Sequence, residues 1–154
     1  MATSTREIEG TSGEEMKNTI TVQVTVRAPI AKVWECWNSP KDIPSWAFAS
    51  DDWEAFDAEN DVRVGGNFKT TMAAKDKSAQ FTFGGTYTAV TENKLLEYTM
   101  GDGRHVKITF EETPEGVVIT EAFDTEDVNS DEKQRSGWQA ILENFKKYTE
   151  EKEW

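Results

Sequence analysis

The stretch TITVQVTVRAPIAKVWECW, residues 19–37, changes its hydrophobic period from two to about 3.6 halfway along. The first half alternates apolar and polar side chains, with the apolar ones at Ile20, Val22, Val24 and Val26. After Pro29, apolar residues recur at helical spacing, at Ile30, Val33, Trp34 and Trp37. The pattern predicts a strand with one buried face, followed directly by a short amphipathic helix.

Downstream of this helix the chain becomes a series of short extended runs. Two prolines in NSPKDIPSW predict a turn and a second brief helix, so that two short helices occupy about 30–45. The extended runs then cover 52–57, 67–74, 80–91, 94–100, 104–112 and 116–124. Turn sequences such as GDG and TPEG separate them, which predicts an antiparallel meander, because parallel pairing needs a crossover of a dozen residues.

The last segment, NSDEKQRSGWQAILENFKKYTEEKEW, has the pattern of a long amphipathic helix at about 130–150. Asn129 or Ser130 caps it, and apolar residues form one stripe at Trp138, Ile141, Leu142, Phe145 and Tyr148. The order of elements predicts an α+β domain, a helix-grip fold, in which a curved antiparallel β-sheet wraps around the long C-terminal α-helix.

Two adjacent glycines, Gly65 and Gly66, interrupt the strands in DVRVGGNFKTTM, residues 61–72. A phosphate-binding loop would require a helix immediately after the glycines, whereas NFKTTM continues with the alternation of a strand. A structural role therefore fits better: the pair turns one strand into the next, at a position where a Cβ is poorly tolerated.

Composition limits the partners and the compartment. The 154 residues carry a net charge of -12, which repels phosphate backbones and anionic lipids, so neither nucleic acid nor a membrane is an expected partner. Residues 1–16 are polar and predict a disordered tail before a single domain over 17–151. The only cysteine, Cys36, is interpreted as a small buried residue, and the lack of any disulfide pair predicts a cytoplasmic protein.

Few residues are candidates for chemistry. Asp51 and Asp52 are adjacent, so in an extended chain they point to opposite faces, and capping of a turn is the preferred interpretation. His105, the single histidine, shares the polar face of its strand and is expected to be exposed. No spacing of His, Cys or carboxylates predicts a metal site, and no cofactor is expected.

Several segments together resemble a known family: APIAKVWECW, SPKDIPSWAFASDDW, NDVRVGGNF, FGGTYTAV, VKITFEE and GWQAILENFKKY. In this order they resemble the START-like (SRPBCC) superfamily, and most of all its branch homologous to the C-terminal domain of the activator of heat-shock protein 90 ATPase. The resemblance covers about Asn18 to Tyr148. It implies the helix-grip fold and a pocket between the concave sheet and the long helix.

The aromatic residues of such a domain either close its interior or line a cavity. If a cavity exists, its floor is expected to come from Phe68, Met72, Phe83, Tyr98 and Met100. The terminal helix would contribute Trp138 and Leu142 as the roof, and Trp46 and Trp53 would stand at the mouth. The hydroxyl of Tyr98 is the group expected to orient a polar part of a ligand.

Three functions remain open from the sequence. The first is non-catalytic binding of a small apolar or amphipathic molecule, favoured because no nucleophile and base are found as a pair. The second is a co-chaperone, an interaction protein acting on heat-shock protein 90, which the resemblance implies. The third, which the resemblance to START-like proteins implies, is an enzyme of the cyclase or hydratase type, in which Tyr98, Asp51 or Asp52 would act as acid or base.

Overall fold

The computed structural model describes residues 19–152, so the predicted tail at 1–16 lies outside the described residues. Strand β1 covers Thr19–Val26, helix α1 covers Ile30–Asn38, and a 3₁₀ turn follows at Ile43–Ser45. Six strands come next: β2 Trp53–Asn60, β3 Asn67–Ala74, β4 Gln80–Thr91, β5 Leu95–Met100, β6 His105–Thr113 and β7 Gly116–Asp124. Helix α2, Asp131–Glu151, completes the described chain.

All seven strands form one antiparallel sheet in the order β1-β7-β6-β5-β4-β3-β2. Strands β2 to β7 follow one another as the predicted meander, and β1 pairs with the last strand, from Thr19 opposite Asp124 to Val26 opposite Val117. The sheet is curled around α2, with the two short helical segments after β1. The predicted α+β helix-grip fold is therefore confirmed.

An aromatic cluster joins the short helical segments to α2. Phe145 of α2 is fully buried, and its ring contacts those of Trp37 and Trp46, each with centroids 4.9 Å apart in edge-to-face geometry. The indole N–H of Trp46 donates to the carbonyl oxygen of Cys36 at 3.0 Å. These contacts fix the segment after β1 against one end of α2, and Cys36 is buried as predicted.

Helix α2 is tied to the first strand by polar contacts along its length. The Ser130 hydroxyl caps the helix by accepting from the backbone N–H of Lys133 at 3.1 Å. Gln139 then donates to the carbonyl of Gln23 at 3.0 Å, and Lys146 donates to that of Thr25 at 2.6 Å. The helix position over the sheet is thus set from β1. Neither described helix combines the length and apolar character of a membrane span.

Strand β2 is longer than the sequence predicted. A run was expected over 52–57, but pairing with β3 shifts register between Phe56 and Glu59 and then continues to Asn60. Asp57 adopts a φ of 54°, which absorbs the extra residue of the bulge. Aspartate tolerates this left-handed conformation better than most residues. The backbone can therefore pass the bulge at Asp57, and β2 continues to Asn60 although the alternation of apolar and polar residues ends at 57.

The two glycines before β3 have different roles. Gly65 has a φ of +84°, in the region that favours glycine, and a Cβ there would meet open space. At Gly66, a Cβ would lie 2.1 Å from the carbonyl oxygen of Asp61. The carbonyl oxygen of Gly66 also accepts a hydrogen bond from β4, from the backbone N–H of Tyr87 at 2.9 Å. The pair turns β2 into β3 as predicted, but only Gly65 supplies the positive φ.

Gly66→Ala is expected to lower the free energy of unfolding by about 2 kcal/mol or more, because the new methyl group collides with backbone rather than with a flexible side chain. Gly101→Ala is the matched control, since a Cβ at Gly101 meets nothing within 4 Å. Urea denaturation of both variants measures the difference. Equal stability of the two variants would contradict the close backbone approach at Gly66.

Candidate functional site

A cavity of about 360 Å³ lies between the concave face of the sheet and α2. Alternate residues of neighbouring strands point into it, as the two-residue period of a strand requires: Phe68, Thr70 and Met72 from β3, Phe81, Phe83 and Tyr87 from β4, and Leu96, Tyr98 and Met100 from β5. Helix α2 closes it from the other side with Gly137, Trp138 and Ile141. The interior is therefore lined mostly by apolar and aromatic groups.

Ring contacts hold the cavity wall in place. Phe68 contacts Tyr98 with ring centroids 4.6 Å apart and Tyr87 with centroids 5.1 Å apart. Trp138 stacks on Phe123 at 3.9 Å with only 9° between the planes, and it meets Phe83 edge to face at 6.0 Å. These aromatic wall residues are packed against one another, so their part of the wall is formed without a ligand.

Seven of the nine residues predicted to bind a ligand line this cavity: Trp46, Phe68, Met72, Phe83, Tyr98, Met100 and Trp138. Leu142 does not, because it is fully buried in the core, and its neighbour Ile141 takes the place on the wall. Trp53 does not either: its ring lies against Phe81, with centroids 5.8 Å apart, and Phe81 is the residue that lines the space. Trp46 is only 5% exposed, so it belongs to the inner wall rather than to a mouth.

The sequence interpretation missed Glu121, a buried acidic residue of the cavity wall. In VVITEAFD it occupies the inward position of β7 between Ile119 and Phe123, and across the sheet it lies opposite Val22 and Ile108. It is 5% exposed, and no hydrogen bond or ion pair joins its carboxyl group to any other residue within 19–152. Burial raises the pKa of this carboxyl to about 8. The signal was available, as an acidic residue on the apolar face of a strand.

Two tyrosines of the wall differ in whether the protein satisfies their hydroxyl groups. Tyr87 donates to the side-chain oxygen of Asn60 at 2.6 Å, and Asn60 in turn donates to the carbonyl of Asn38 at 2.8 Å. Tyr98 is equally buried, yet its hydroxyl makes no hydrogen bond with another described residue. Burial raises the pKa of Tyr98, and the negative charge of an ionised Glu121 would raise it further.

One end of the cavity is polar and closer to solvent. The side-chain N–H of Gln134 donates to the carbonyls of Glu126 at 3.1 Å and Asn129 at 2.9 Å, and its oxygen accepts from the backbone of Glu126 at 2.9 Å. Arg104 donates to Asp102 at 2.8 Å, while Lys133 is exposed. These polar groups are partnered or solvated, unlike Glu121 and Tyr98 in the apolar interior.

The remaining chemical candidates lie outside the cavity wall. Asp51 and Asp52 are exposed in a turn, and His105 is exposed on β6, as the sequence predicted. Across residues 19–152, no three His, Cys, Asp or Glu side chains come together in a way that could hold a metal ion. The geometry instead offers an apolar space that the Glu121 carboxyl and the hydroxyls of Tyr98 and Thr70 face without a hydrogen-bond partner among the described residues.

The family model of the Activator of Hsp90 ATPase homolog 1-like proteins matches residues 27–150. This confirms the resemblance seen in the sequence segments. Curated proteins gave no match to the chain.

Solved structures similar to this chain come from several bacteria. An AHSA1-like protein from Aeromonas hydrophila is 41% identical, with a TM-score of 0.81, over 86% of this chain and 92% of that one. A protein from Cytophaga hutchinsonii is 52% identical, with a TM-score of 0.72, over 87% of this chain and 92% of that one. A protein from Chromobacterium violaceum, 23% identical with a TM-score of 0.79 over 88% of this chain and 99% of that one, shares the fold.

Proposed function

The chain belongs to the family of Activator of Hsp90 ATPase homolog 1-like proteins, and from this membership and its cavity we propose that it binds a small apolar or amphipathic molecule without transforming it. The carrying observation is the aromatic-lined space of about 360 Å³ between the sheet and α2. Sites for small molecules commonly have volumes of about 300–1,000 Å³ and mostly apolar walls with a few polar groups.

Burial of apolar surface supplies the affinity in this proposal. Each Å² of apolar ligand surface removed from water contributes roughly 25 cal/mol. Because the ring contacts already fix the wall, little of this free energy is spent on ordering side chains. The net charge of -12 disfavours anionic ligands, so a neutral or weakly polar molecule is expected.

The other two interpretations have less support. A co-chaperone acting on heat-shock protein 90 follows from the family description alone. For the cyclase or hydratase interpretation, Tyr98 lines the cavity while Asp51 and Asp52 lie in an exposed turn, so the aspartates named for this chemistry are separated from Tyr98. Glu121 shares the wall with Tyr98, and we assign it to ligand binding below. The cytoplasmic location stays a prediction.

N-phenyl-1-naphthylamine, a neutral fluorescent molecule, is expected to bind the protein with enhanced emission. Gly137→Leu should weaken this binding at least about tenfold, because a Cβ at Gly137 enters open space at the cavity wall and the side chain takes up volume there. Leucine also favours the helix over glycine, so the fold should be retained. Fluorescence titration measures both affinities.

Ser136→Leu is the matched control, because Ser136 is the exposed neighbour of Gly137 on the same helix. This variant should bind the probe as the wild type does. Equal binding by all three proteins would place the site elsewhere. If none of the three binds the probe or the naphthalene compounds used below, the proposed function is wrong.

A further inference from the structure

We propose that the Glu121 carboxyl and the Tyr98 hydroxyl form a subsite of two hydrogen-bond donors that selects ligands with an acceptor oxygen, such as an aromatic ketone. The inference deepens the proposed function and rests on it. Both residues line the cavity beside apolar side chains of β5, β6 and β7.

The sheet register brings the two groups to the same wall. Tyr98 of β5 lies opposite Val106 of β6, and Glu121 of β7 lies opposite Ile108 of the same strand. Both residues therefore project from the concave face on either side of β6, offset by one pleat. Each lines the cavity, and the charge of an ionised Glu121 would reach the Tyr98 hydroxyl.

Both groups face the cavity without a protein partner. Glu121 and Tyr98 are each 5% exposed, and neither the carboxyl nor the hydroxyl has a hydrogen bond to another residue of the described chain. Leaving such groups unpaired costs about 1–3 kcal/mol each, and buried polar groups in folded proteins are almost always satisfied. The neighbouring Tyr87 shows that this fold can supply a partner from within the protein, in its case Asn60. Their oxygens face the cavity, so a ligand atom that displaces cavity water is the partner available to Glu121 and Tyr98.

The surroundings of Glu121 favour its protonated form, which can donate a hydrogen bond. Its sheet neighbours are apolar, and Arg104, a cation on the cavity wall, is engaged by Asp102 at 2.8 Å. The other titratable side chains that line the cavity are Tyr98, Tyr87, Glu59, Glu126 and Lys133. An isolated carboxylate is strongly disfavoured in such a setting, and burial raises the pKa of Glu121 to about 8.

At neutral pH Glu121 therefore carries its proton, and together with the phenol it offers two O–H donors. The chemical complement of two donors is an acceptor oxygen with two lone pairs, which a ketone carbonyl provides. A hydrocarbon of the same shape would leave both donors unpaired. An ammonium ligand would need the carboxylate form instead, so its binding would release a proton.

Three naphthalene compounds of similar shape distinguish these cases: 2-acetylnaphthalene, 2-ethylnaphthalene and 2-(aminomethyl)naphthalene. Displacement of N-phenyl-1-naphthylamine at pH 6.5 should show the ketone binding at least about tenfold more tightly than the hydrocarbon. The carbonyl stretching band of bound 2-acetylnaphthalene should move to lower wavenumber than in hexane, which reports hydrogen bonding to that oxygen.

Variants assign the preference to the two residues. Glu121→Leu and Tyr98→Phe should each lower the preference for the ketone over the hydrocarbon, measured as the ratio of their affinities, at least about fivefold. Glu121→Gln keeps a donor and should retain the preference. Raising the pH from 6.5 to 9.5 should weaken ketone binding by the wild type as Glu121 ionises, but not by Glu121→Gln.

The outcomes separate the inference from the function it rests on. If the ketone and the hydrocarbon bind equally well, and Glu121→Leu changes neither, the cavity binds ligands and the donor subsite is wrong. If the amine binds most tightly, with affinity that rises with pH, Glu121 acts as a carboxylate and the inference is overturned. Binding of none of the compounds removes the proposed function and the subsite with it.

Discussion

Phe145→Ala is expected to lower the free energy of unfolding by about 4 kcal/mol, since replacing a buried phenylalanine typically costs about 3–5 kcal/mol. Phe145 is fully buried, and its ring contacts Trp37 and Trp46 edge to face, both with centroids 4.9 Å away. It thus joins α2, α1 and the 3₁₀ turn at one point. Large, braced aromatic neighbours cannot collapse into the space, so most of the cavity cost persists.

Phe81→Ala is the matched control, because the same atoms are removed from a ring that is 50% exposed. Its cost should stay near or below 1 kcal/mol, which is the range of substitutions away from the core. Urea denaturation followed by circular dichroism measures both variants. Comparable losses would mean that the cluster around Phe145 relaxes, or that it contributes little to holding α2.

Period and turn chemistry were enough to predict most of the fold. The runs at 67–74, 80–91 and 116–124 coincide with β3, β4 and β7, because each begins or ends at a turn sequence that contains glycine or lysine. β2 was cut short because its bulge depends on the backbone of Asp57, and a φ of 54° leaves no mark on an alternation pattern. Such local conformations are decided by the pairing with β3, which a single strand does not reveal.

The residues of the candidate site could be predicted where the alternation along a strand decides which side chains point towards the cavity. Every strand residue predicted from β3, β4 and β5 lines the cavity. Of the two helix residues predicted, Trp138 lines it and Leu142 does not. Ile141 and Leu142 both belong to the apolar stripe, and the 100° between adjacent helical residues turns Ile141 to the cavity and Leu142 to the core. Glu121 was missed because an acidic residue is normally assigned to the solvated face of a strand.

The wild type is expected to lose up to about 4 kcal/mol of stability between pH 4.5 and pH 8 through Glu121 alone. Burial raises the pKa of this carboxyl in the folded protein to about 8, whereas the unfolded chain titrates near the ordinary value of 4.5. Between these values the folded state holds a proton that the unfolded state has released, so stability falls as pH rises. Each pH unit across this window costs about 1.4 kcal/mol.

Glu121→Gln isolates this effect, because the amide has almost the same shape and cannot titrate. Many other carboxylates in a chain of net charge -12 also respond to pH, so the informative quantity is the difference between wild type and variant at each pH. Urea midpoints at pH 5, 6.5 and 8, followed by tryptophan fluorescence, should diverge steadily with the wild type losing more. Glu111→Gln, an exposed glutamate on β6, should follow the wild type. If Glu121→Gln follows it as well, the Glu121 carboxyl is not kept neutral by its surroundings, and the donor role proposed for it has no physical basis.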